Sequence, residues 1–462
     1  MLAEDTIAAI STPPGEGGIG IVRLSGPAAF AIGKKVFIFA GKIKEPQSHR
    51  LYYGHVIDPK SGVHIDEALI AFMRAPRTYT REDVVEINCH GGIMPLAKTL
   101  EAVLACGARL AEPGEFTQRA FLNGRIDLAQ AEAVIQIIRA KSETAMKLSL
   151  KQLQGQLSQE VKDLRRRLLA LLAHVEASID FPEHHDVEEV ARAEILEQTK
   201  YCLEQTAKLL ATATQGRILR EGLKTAIIGL PNVGKSSLLN ALLREQRAIV
   251  TAIPGTTRDV LEESINLGGI LLTVIDTAGI RATEDEVERL GVERSREALA
   301  EADLVLFVLD SSCGFREEER KLLEAVGEKP CIIVANKTDL LADKDAALQA
   351  IVAKAAPRPV VPMSLLAGEG LDLLEKNIID TVFAGAVTAG EGAMVTSVRH
   401  KNALERAKAA LEELLAATEA GMEVDLLAID LTCALEALGE ITGENVSSDL
   451  LQQIFSTFCI GK

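Results

Sequence analysis

Gly229-Leu230-Pro231-Asn232-Val233-Gly234-Lys235-Ser236 spells the pattern GxxxxGK[ST], and its flanks constrain the fold more than any other stretch of the chain. The apolar run 224–228 before it predicts a buried strand, and the run 237–243 after it predicts a helix. A strand that turns through such a loop into a helix is the core of a phosphate-binding α/β domain. The glycines let backbone N–H groups face the α- and β-phosphates, and the helix N-terminus adds the positive end of its dipole. Lys235 is expected to reach the β/γ oxygens and Ser236 to ligate Mg2+, with Asn232, Val233, Gly234 and Ser237 completing the nucleotide-binding stretch.

Three further elements follow in the order a guanine-nucleotide site requires. Pro254-Gly255-Thr256-Thr257-Arg258-Asp259 lies in a polar loop where Thr257 is expected to complete the Mg2+ shell and sense the γ-phosphate, and Thr251, Ala252, Ile253, Pro254, Gly255 and Thr256 are expected to contact the nucleotide with it. The apolar run 270–275 predicts a strand that ends in Asp276-Thr277-Ala278-Gly279. There Asp276 can hold Mg2+ through water, and the Gly279 N–H can meet the γ-phosphate. The run 331–335 predicts another buried strand, ending in Asn336-Lys337-Thr338-Asp339.

That last element selects the base. The Asp339 carboxylate can accept both N1–H and the exocyclic amine of guanine, a donor pair adenine lacks, so a GTPase is expected rather than an ATPase. Asn336 and Lys337 are expected to brace the loop and cover the ring, and Ser364 to support the guanine O6. Ile280 stands where many small GTPases place a water-orienting glutamine, and it cannot do that work. The acidic segment Glu284-Asp285-Glu286-Val287-Glu288 reads either as the charged start of a helix or as the source of a water-positioning carboxylate.

At 462 residues the chain is expected to hold two to four domains. Residues 1–120 mix strands (5–12, 20–24, 51–57, 68–73, 84–89) with helices at 27–37 and 94–106, an α+β module. Residues 121–215 read as helices. Leu164, Leu168, Leu171, Leu172 and Val175 form one apolar face, and Arg165-Arg166-Arg167 reads as solvated surface around that helix. Residues 216–380 alternate β and α, and residues 381–462 return to helices, with Ala403, Leu404, Ala407, Ala410, Leu411, Leu414 and Leu415 on one face. The economical reading is a multidomain chain in which one discontinuous α-helical domain is interrupted by an inserted α/β P-loop domain. Two separate helical domains are the rival.

The net charge of −16 argues against a surface built throughout for nucleic acid, though not against a local basic patch or RNA shared with a partner. Seven cysteines without a CxxC pair suggest neither a zinc site nor a redox dithiol and fit a reducing, cytoplasmic setting. No signal peptide and no membrane-spanning run are read. Cys459 stands fourth from the end, but Gly461 and Lys462 fit a prenylation box poorly.

The chain resembles the MnmE (TrmE) family of tRNA modification GTPases from end to end. The shared segments are Thr12-Pro13-Pro14-Gly15, Gly20-Ile21-Val22-Arg23-Leu24-Ser25-Gly26, Tyr79-Thr80-Arg81-Glu82-Asp83 and the run 86–92. Glu112-Pro113-Gly114-Glu115-Phe116-Thr117, Phe121-Leu122-Asn123-Gly124-Arg125 and Phe458-Cys459-Ile460-Gly461-Lys462 complete the set. The GTPase motifs alone would not separate this family from ribosome-assembly GTPase switches, whereas the two terminal regions do.

The resemblance implies a homodimer whose GTPase domains meet face to face around K+. It places K+ against Asn232, Thr251, Ile253 and Thr256, and the catalytic, water-orienting carboxylate on Glu288. It implies that residues 1–120 bind a tetrahydrofolate (5-formyl or 5,10-methylene) and dimerise, with folate contacts at Arg23, Glu86, Arg125 and Lys462. Arginine or lysine suits the glutamyl carboxylates of a folate, and a carboxylate suits the pterin donors. Cys459, in a short tail expected to be mobile, reads either as a nucleophile toward the tRNA base or as a terminal thiol without a role. The implied reaction modifies the wobble uridine of tRNA at C5 together with a flavin-dependent MnmG/GidA-type partner, so FAD is not expected here. The glycine cluster at 15–20 also has the wrong spacing for a dinucleotide site.

Overall fold

The computed structural model describes residues 5–180, 185–245, 263–275, 299–383 and 392–462. It divides into two compact units, one made of Met1–Ile135, Leu153–Leu169 and Leu435–Lys462, the other of Gln136–Gln152 and Ala170–Ala434.

The first unit is built on a seven-stranded sheet of β1 (Ile7–Ile10), β2 (Gly17–Ser25), β3 (Phe37–Phe39), β4 (Arg50–Ile57), β5 (His64–Met73), β6 (Val84–Gly91) and β7 (Arg109–Leu110). Their order is β3-β4-β5-β6-β2-β1-β7. Every neighbouring pair is antiparallel except β1 with β7. Strand alternation sorts the side chains. Val22 and Leu24 of β2 and Val85 and Ile87 of β6 share one core with Ile32 of α1 (Ala29–Lys35) and Leu96 and Val103 of α2 (Ile93–Ala105). The residues between them, Arg23 and Glu86, are register partners pointing the other way.

On that other side Ile7 and Ala9 of β1 meet Phe116 of α3 (Glu115–Leu122) and Tyr79. α3 in turn shares a cluster with α4 (Leu128–Arg139) and the C-terminal residues Phe455 and Phe458. The helix expected at 27–37 is shorter than its sequence suggested. Phe37 belongs to β3, where it pairs with Val56 and packs edge-on to Phe39, because two aromatics at alternate positions suit a pleated strand better than a helix end.

The long helices α5 (Glu143–Leu153), α6 (Gln156–Asp180), α7 (His185–Ala211) and α8 (Ala213–Glu221) follow. Leu164, Leu168, Leu171 and Val175 are buried along α6. One expectation there fails. Arg165 is only 8 % exposed, donates to the Leu435 carbonyl at 3.2 Å and pairs with Glu444 at 2.7 Å. It follows Leu164 on the apolar flank, so helix geometry turns it inward while Arg166 stays outside.

In the second unit six strands run in the order β13-β12-β11-β8-β10-β9. These are β8 (Leu223–Ile228), β9 (Glu263–Leu267), β10 (Ile270–Ile275), β11 (Leu304–Asp310), β12 (Cys331–Asn336) and β13 (Val360–Pro362). Only β9 is antiparallel to its neighbour. Leu304, Leu306 and Val308 of β11 face one buried cluster, and Val305, Phe307 and Leu309 face another. A parallel strand covered on both faces reads as a continuous apolar run, which is how these strands read in the sequence. Helices α9 (Lys235–Glu245), α10 (Glu317–Val326), α11 (Lys344–Ala355) and α12 (Leu371–Phe383) accompany the sheet. α13 (Val398–Glu419) buries Ala403, Leu404, Ala407, Ala410, Leu411 and Leu414 as its pattern requires, with Leu415 half-buried. α14 (Val424–Thr442) and α15 (Ser448–Ser456) end the chain. No described helix is long and apolar enough to cross a membrane.

Candidate functional site

The phosphate loop leaves β8, a central strand paired with β11 and β10, and enters α9 at Lys235. Asn232 (φ 60°) and Gly234 (φ 108°) take left-handed conformations that fold the loop over. Gly234 also has no room for a side chain, since a Cβ there would stand 2.3 Å from the Asn336 amide nitrogen. Lys235 Nζ turns back to the carbonyls of Gly229 (2.9 Å) and Leu230 (2.8 Å). Burial pushes its ammonium below its usual value. A half-buried cation that turns to carbonyls of its own loop suits an incoming phosphate. Ser236 and Ser237 lie in the first turn of α9, where a hydroxyl can meet Mg2+ and N–H groups a phosphate.

The base loop is tied to the phosphate loop directly. Asn336, buried at the end of β12, donates from Nδ2 to the Val233 carbonyl at 2.9 Å and accepts from the Leu365 N–H at 3.3 Å. Lys337, in a left-handed conformation (φ 63°), donates from Nζ to the Asn232 carbonyl at 2.9 Å and to Asp310 Oδ2 at 2.7 Å. Ser364 is fully buried, and its Oγ donates to Asp339 Oδ1 at 2.6 Å. It therefore helps to hold the Asp339 carboxylate in place. Asp310 was not singled out in the sequence. Its signal was faint: an acidic residue ending the apolar run Leu304–Leu309.

Thr251, Ala252, Ile253, Pro254, Gly255, Thr256 and Thr257 lie outside the described residues, as do Asp276, Thr277, Ala278, Gly279 and Glu288.

In the first unit the four residues expected to contact folate converge. Arg23 Nε donates to Glu86 Oε1 at 2.8 Å, so the two form one paired edge rather than separate contacts. Arg23 lies 6.0 Å from the Tyr79 ring centroid, and Arg125 stands over the same ring at 4.7 Å while donating to the Tyr79 carbonyl at 3.1 Å. The Tyr79 hydroxyl shares a 2.9 Å hydrogen bond with Thr117. Lys462 reaches the same place: burial first, then the Arg23 charge, push its ammonium below the usual value, while Cys459 and Glu86 act the other way.

The tail that carries Lys462 is docked, not free as its sequence suggested. The Gly461 carbonyl accepts from Arg23 (3.2 Å) and Ser11 (3.1 Å), and the Cys459 carbonyl accepts from the Gly114 N–H (3.3 Å). Phe458 is buried, while the Cys459 side chain is exposed. Arg119, only 4 % exposed, braces the neighbourhood. It pairs with Asp5 (2.7 Å), Glu115 (3.0 Å) and Glu82 (3.3 Å), and Glu82 accepts from Ser25, which also bonds Thr80 beside Tyr79. Neither Tyr79 nor Ser11 was picked out by sequence, although Tyr79 sits in one of the matching segments.

Two family models match the chain. One is described as the MnmE helical domain, over residues 128–459, and the other as the GTP-binding protein TrmE N-terminus, over residues 6–125. A tRNA modification GTPase MnmE of Geobacillus kaustophilus (strain HTA426) is 55% identical over 464 residues, covering 100% of both chains. The protein of that name from Oceanobacillus iheyensis is 53% identical over 463 residues, again covering 100% of both. That from Staphylococcus haemolyticus (strain JCSC1435) is 49% identical over 458 residues and 99% of each chain. With these matches spanning both units and the nucleotide loops built as described, the chain belongs to the MnmE (TrmE) family of tRNA modification GTPases.

Proposed function

We propose that this GTPase is K+-dependent and acts as a homodimer with a flavin-dependent MnmG/GidA-type partner. Together they modify the wobble uridine of tRNA at C5, giving an aminomethyl or carboxymethylaminomethyl group. GTP is hydrolysed, and the one-carbon unit comes from 5-formyl- or 5,10-methylene-tetrahydrofolate. The observation that carries the reading is the cluster in which Arg23 and Arg125 share the Tyr79 ring, Glu86 pairs with Arg23, and the docked C-terminal tail brings Lys462 beside that pair.

That donor set fits a folate. The Arg23–Glu86 pair offers guanidinium donors beside a carboxylate acceptor, the complement of a pterin edge with its N–H, amino and carbonyl groups. Arg125 and Lys462 remain to meet the glutamyl carboxylates. This divides the ligand differently from the assignment by residue type, because two groups 2.8 Å apart cannot grip opposite ends of it. Bound there, the folate would supply the one-carbon unit, and exposed Cys459 is the candidate nucleophile toward the base.

At the nucleotide site Lys235 would neutralise the β/γ oxygens, Ser236 and Thr257 would hold Mg2+, and Asn232, Thr251, Ile253 and Thr256 would hold K+. A monovalent cation beside those oxygens offsets charge that develops during hydrolysis, and Glu288 would orient the water. Nucleoside analysis of tRNA from cells lacking the protein tests the reading. Unmodified wobble uridine is expected, whereas unchanged tRNA with stalled ribosomal subunits would replace it with a ribosome-assembly switch. Calorimetric titration with 5-formyltetrahydrofolate tests the cofactor, and absence of heat and of competition would remove the folate from the scheme.

A further inference from the structure

We infer that Asp310 is a positioning residue for guanine nucleotides, acting through Lys337. β11 and β12 run parallel with Asp310 in register with Asn336, so the carboxylate stands beside the base loop at the C-terminal edge of the sheet. That edge is where open α/β sheets bind their ligands. Asp310 divides its two oxygens. Oδ1 accepts from the Ser312 N–H (3.0 Å) and the Ser312 hydroxyl (2.6 Å), fixing its own turn, and Oδ2 accepts from Lys337 Nζ (2.7 Å). The next residue, Ser311, is buried and donates to the Asn336 carbonyl at 2.6 Å, clamping the turn to the base loop.

The arrangement settles the position of a long, otherwise flexible side chain. Lys337 Nζ bridges Asp310 and the Asn232 carbonyl, so both ends of the lysine are fixed: its backbone by the left-handed turn and its ammonium by the bridge. Its aliphatic stem is thereby held in place as a platform beside Asp339 before nucleotide arrives, which lowers the ordering cost of binding. Burial alone would raise the Asp310 carboxyl, but the Lys337 ammonium and the Ser312 donors outweigh it and keep the group ionised below the ordinary range. The same bridge joins base loop and phosphate loop, so losing the charge at residue 310 weakens GDP and GTP together. It leaves Asp339, which Ser364 holds, untouched.

The test is nucleotide affinity of the full chain by equilibrium fluorescence titration. Asp310→Asn keeps the shape and the Ser312 acceptor but removes the charge. It is expected to raise the Kd for GDP and GTP about tenfold. The preference for GDP over IDP, which reports the exocyclic-amine contact of Asp339, is expected to stay within twofold of wild type. A distorted base loop would lower that preference, and such a drop overturns the inference. Lys337→Gln should weaken binding at least as much, and adding Asp310→Asn to it should cost less than twofold more. Additive losses in that cycle, or an Asp310→Asn Kd within twofold of wild type, would equally overturn it. An unchanged unfolding temperature without nucleotide keeps the comparison within the folded state.

Discussion

Replacing Gly461 with alanine sets the tail against the strand on which it rests. Gly461 adopts φ 89°, and a Cβ there would stand 2.4 Å from the Ile10 carbonyl oxygen and 2.9 Å from Ser11 Cα. Both atoms are held by β2, Ile10 as the register partner of Val22 and Ser11 by its N–H on the Ile21 carbonyl. A left-handed alanine costs about 1–2 kcal/mol, and overpacking about 1–3 more. Opposing this are the two hydrogen bonds onto the Gly461 carbonyl: roughly 1 kcal/mol from Ser11 and about 1.5–3 from the charged Arg23 donor. The two sums are comparable, so residues 459–462 should pass from almost wholly docked to released about half of the time. Phe458 stays in its cluster, and the rest of the unit is unaffected. Hydrogen exchange read on a peptide covering 456–462 follows the released fraction and should speed up about tenfold or more, whereas 5-formyltetrahydrofolate affinity follows the docked fraction and should drop about twofold. Gly62→Ala is the control, since φ there is 72° with no atom within 4 Å, so it carries the backbone strain without the collision. Exchange in Gly461→Ala within twofold of wild type would refute the steric reasoning.

Asp339→Asn exchanges an acceptor for an amide donor, so GTP binding should weaken about a hundredfold while xanthosine triphosphate, with a carbonyl at C2, gains; competition binding checks this. Glu288→Ala should lower kcat strongly at nearly unchanged GTP affinity, and normal turnover would remove that residue from the mechanism. The carboxyls of Asp5 and Glu115 both lie below their ordinary values: burial raises each, but hydrogen bonds from Arg109 and Arg119 outweigh it. Folded-state values below the unfolded ones mean their contribution is complete above about pH 5 and drains as the pH falls through the lowered values. Urea midpoints measured across pH 3–6 should therefore decline in acid, and Glu115→Gln should flatten that decline while lowering the midpoint at pH 7.

Sequence periodicity located these elements well wherever one face decides the matter. The strands expected at 20–24 and 84–89 fall within β2 and β6, and the one-faced spacing of α13 named residues that are buried, with Leu415 half-buried. The phosphate loop was legible because strand, glycines, lysine and helix are contiguous. What stayed hidden depends on partners distant in the chain. Arg165 reads as one of three surface arginines until Leu435 and Glu444 arrive beside it. The final residues read as a loose end because nothing local reveals that Ser11, just past β1 and 450 positions earlier, donates to the Gly461 carbonyl. Asp310 was invisible for the same reason: its meaning lies in the register of β11 against β12.

Leu148 of α5 has a consequence for how this chain can be taken apart. It is buried in the same cluster as Leu223, Ile227, Leu267, Ile270 and Leu272, the floor of the nucleotide-binding sheet. A fragment beginning at residue 216, where the α/β pattern starts, would therefore carry every nucleotide motif yet leave an apolar socket open to water. Filling such a socket is worth about 1.5–3 kcal/mol, a large share of what a domain has to spare. The catalytic module is thus not a portable cassette, and transplanting it into another chain would require bringing a leucine from seventy residues upstream.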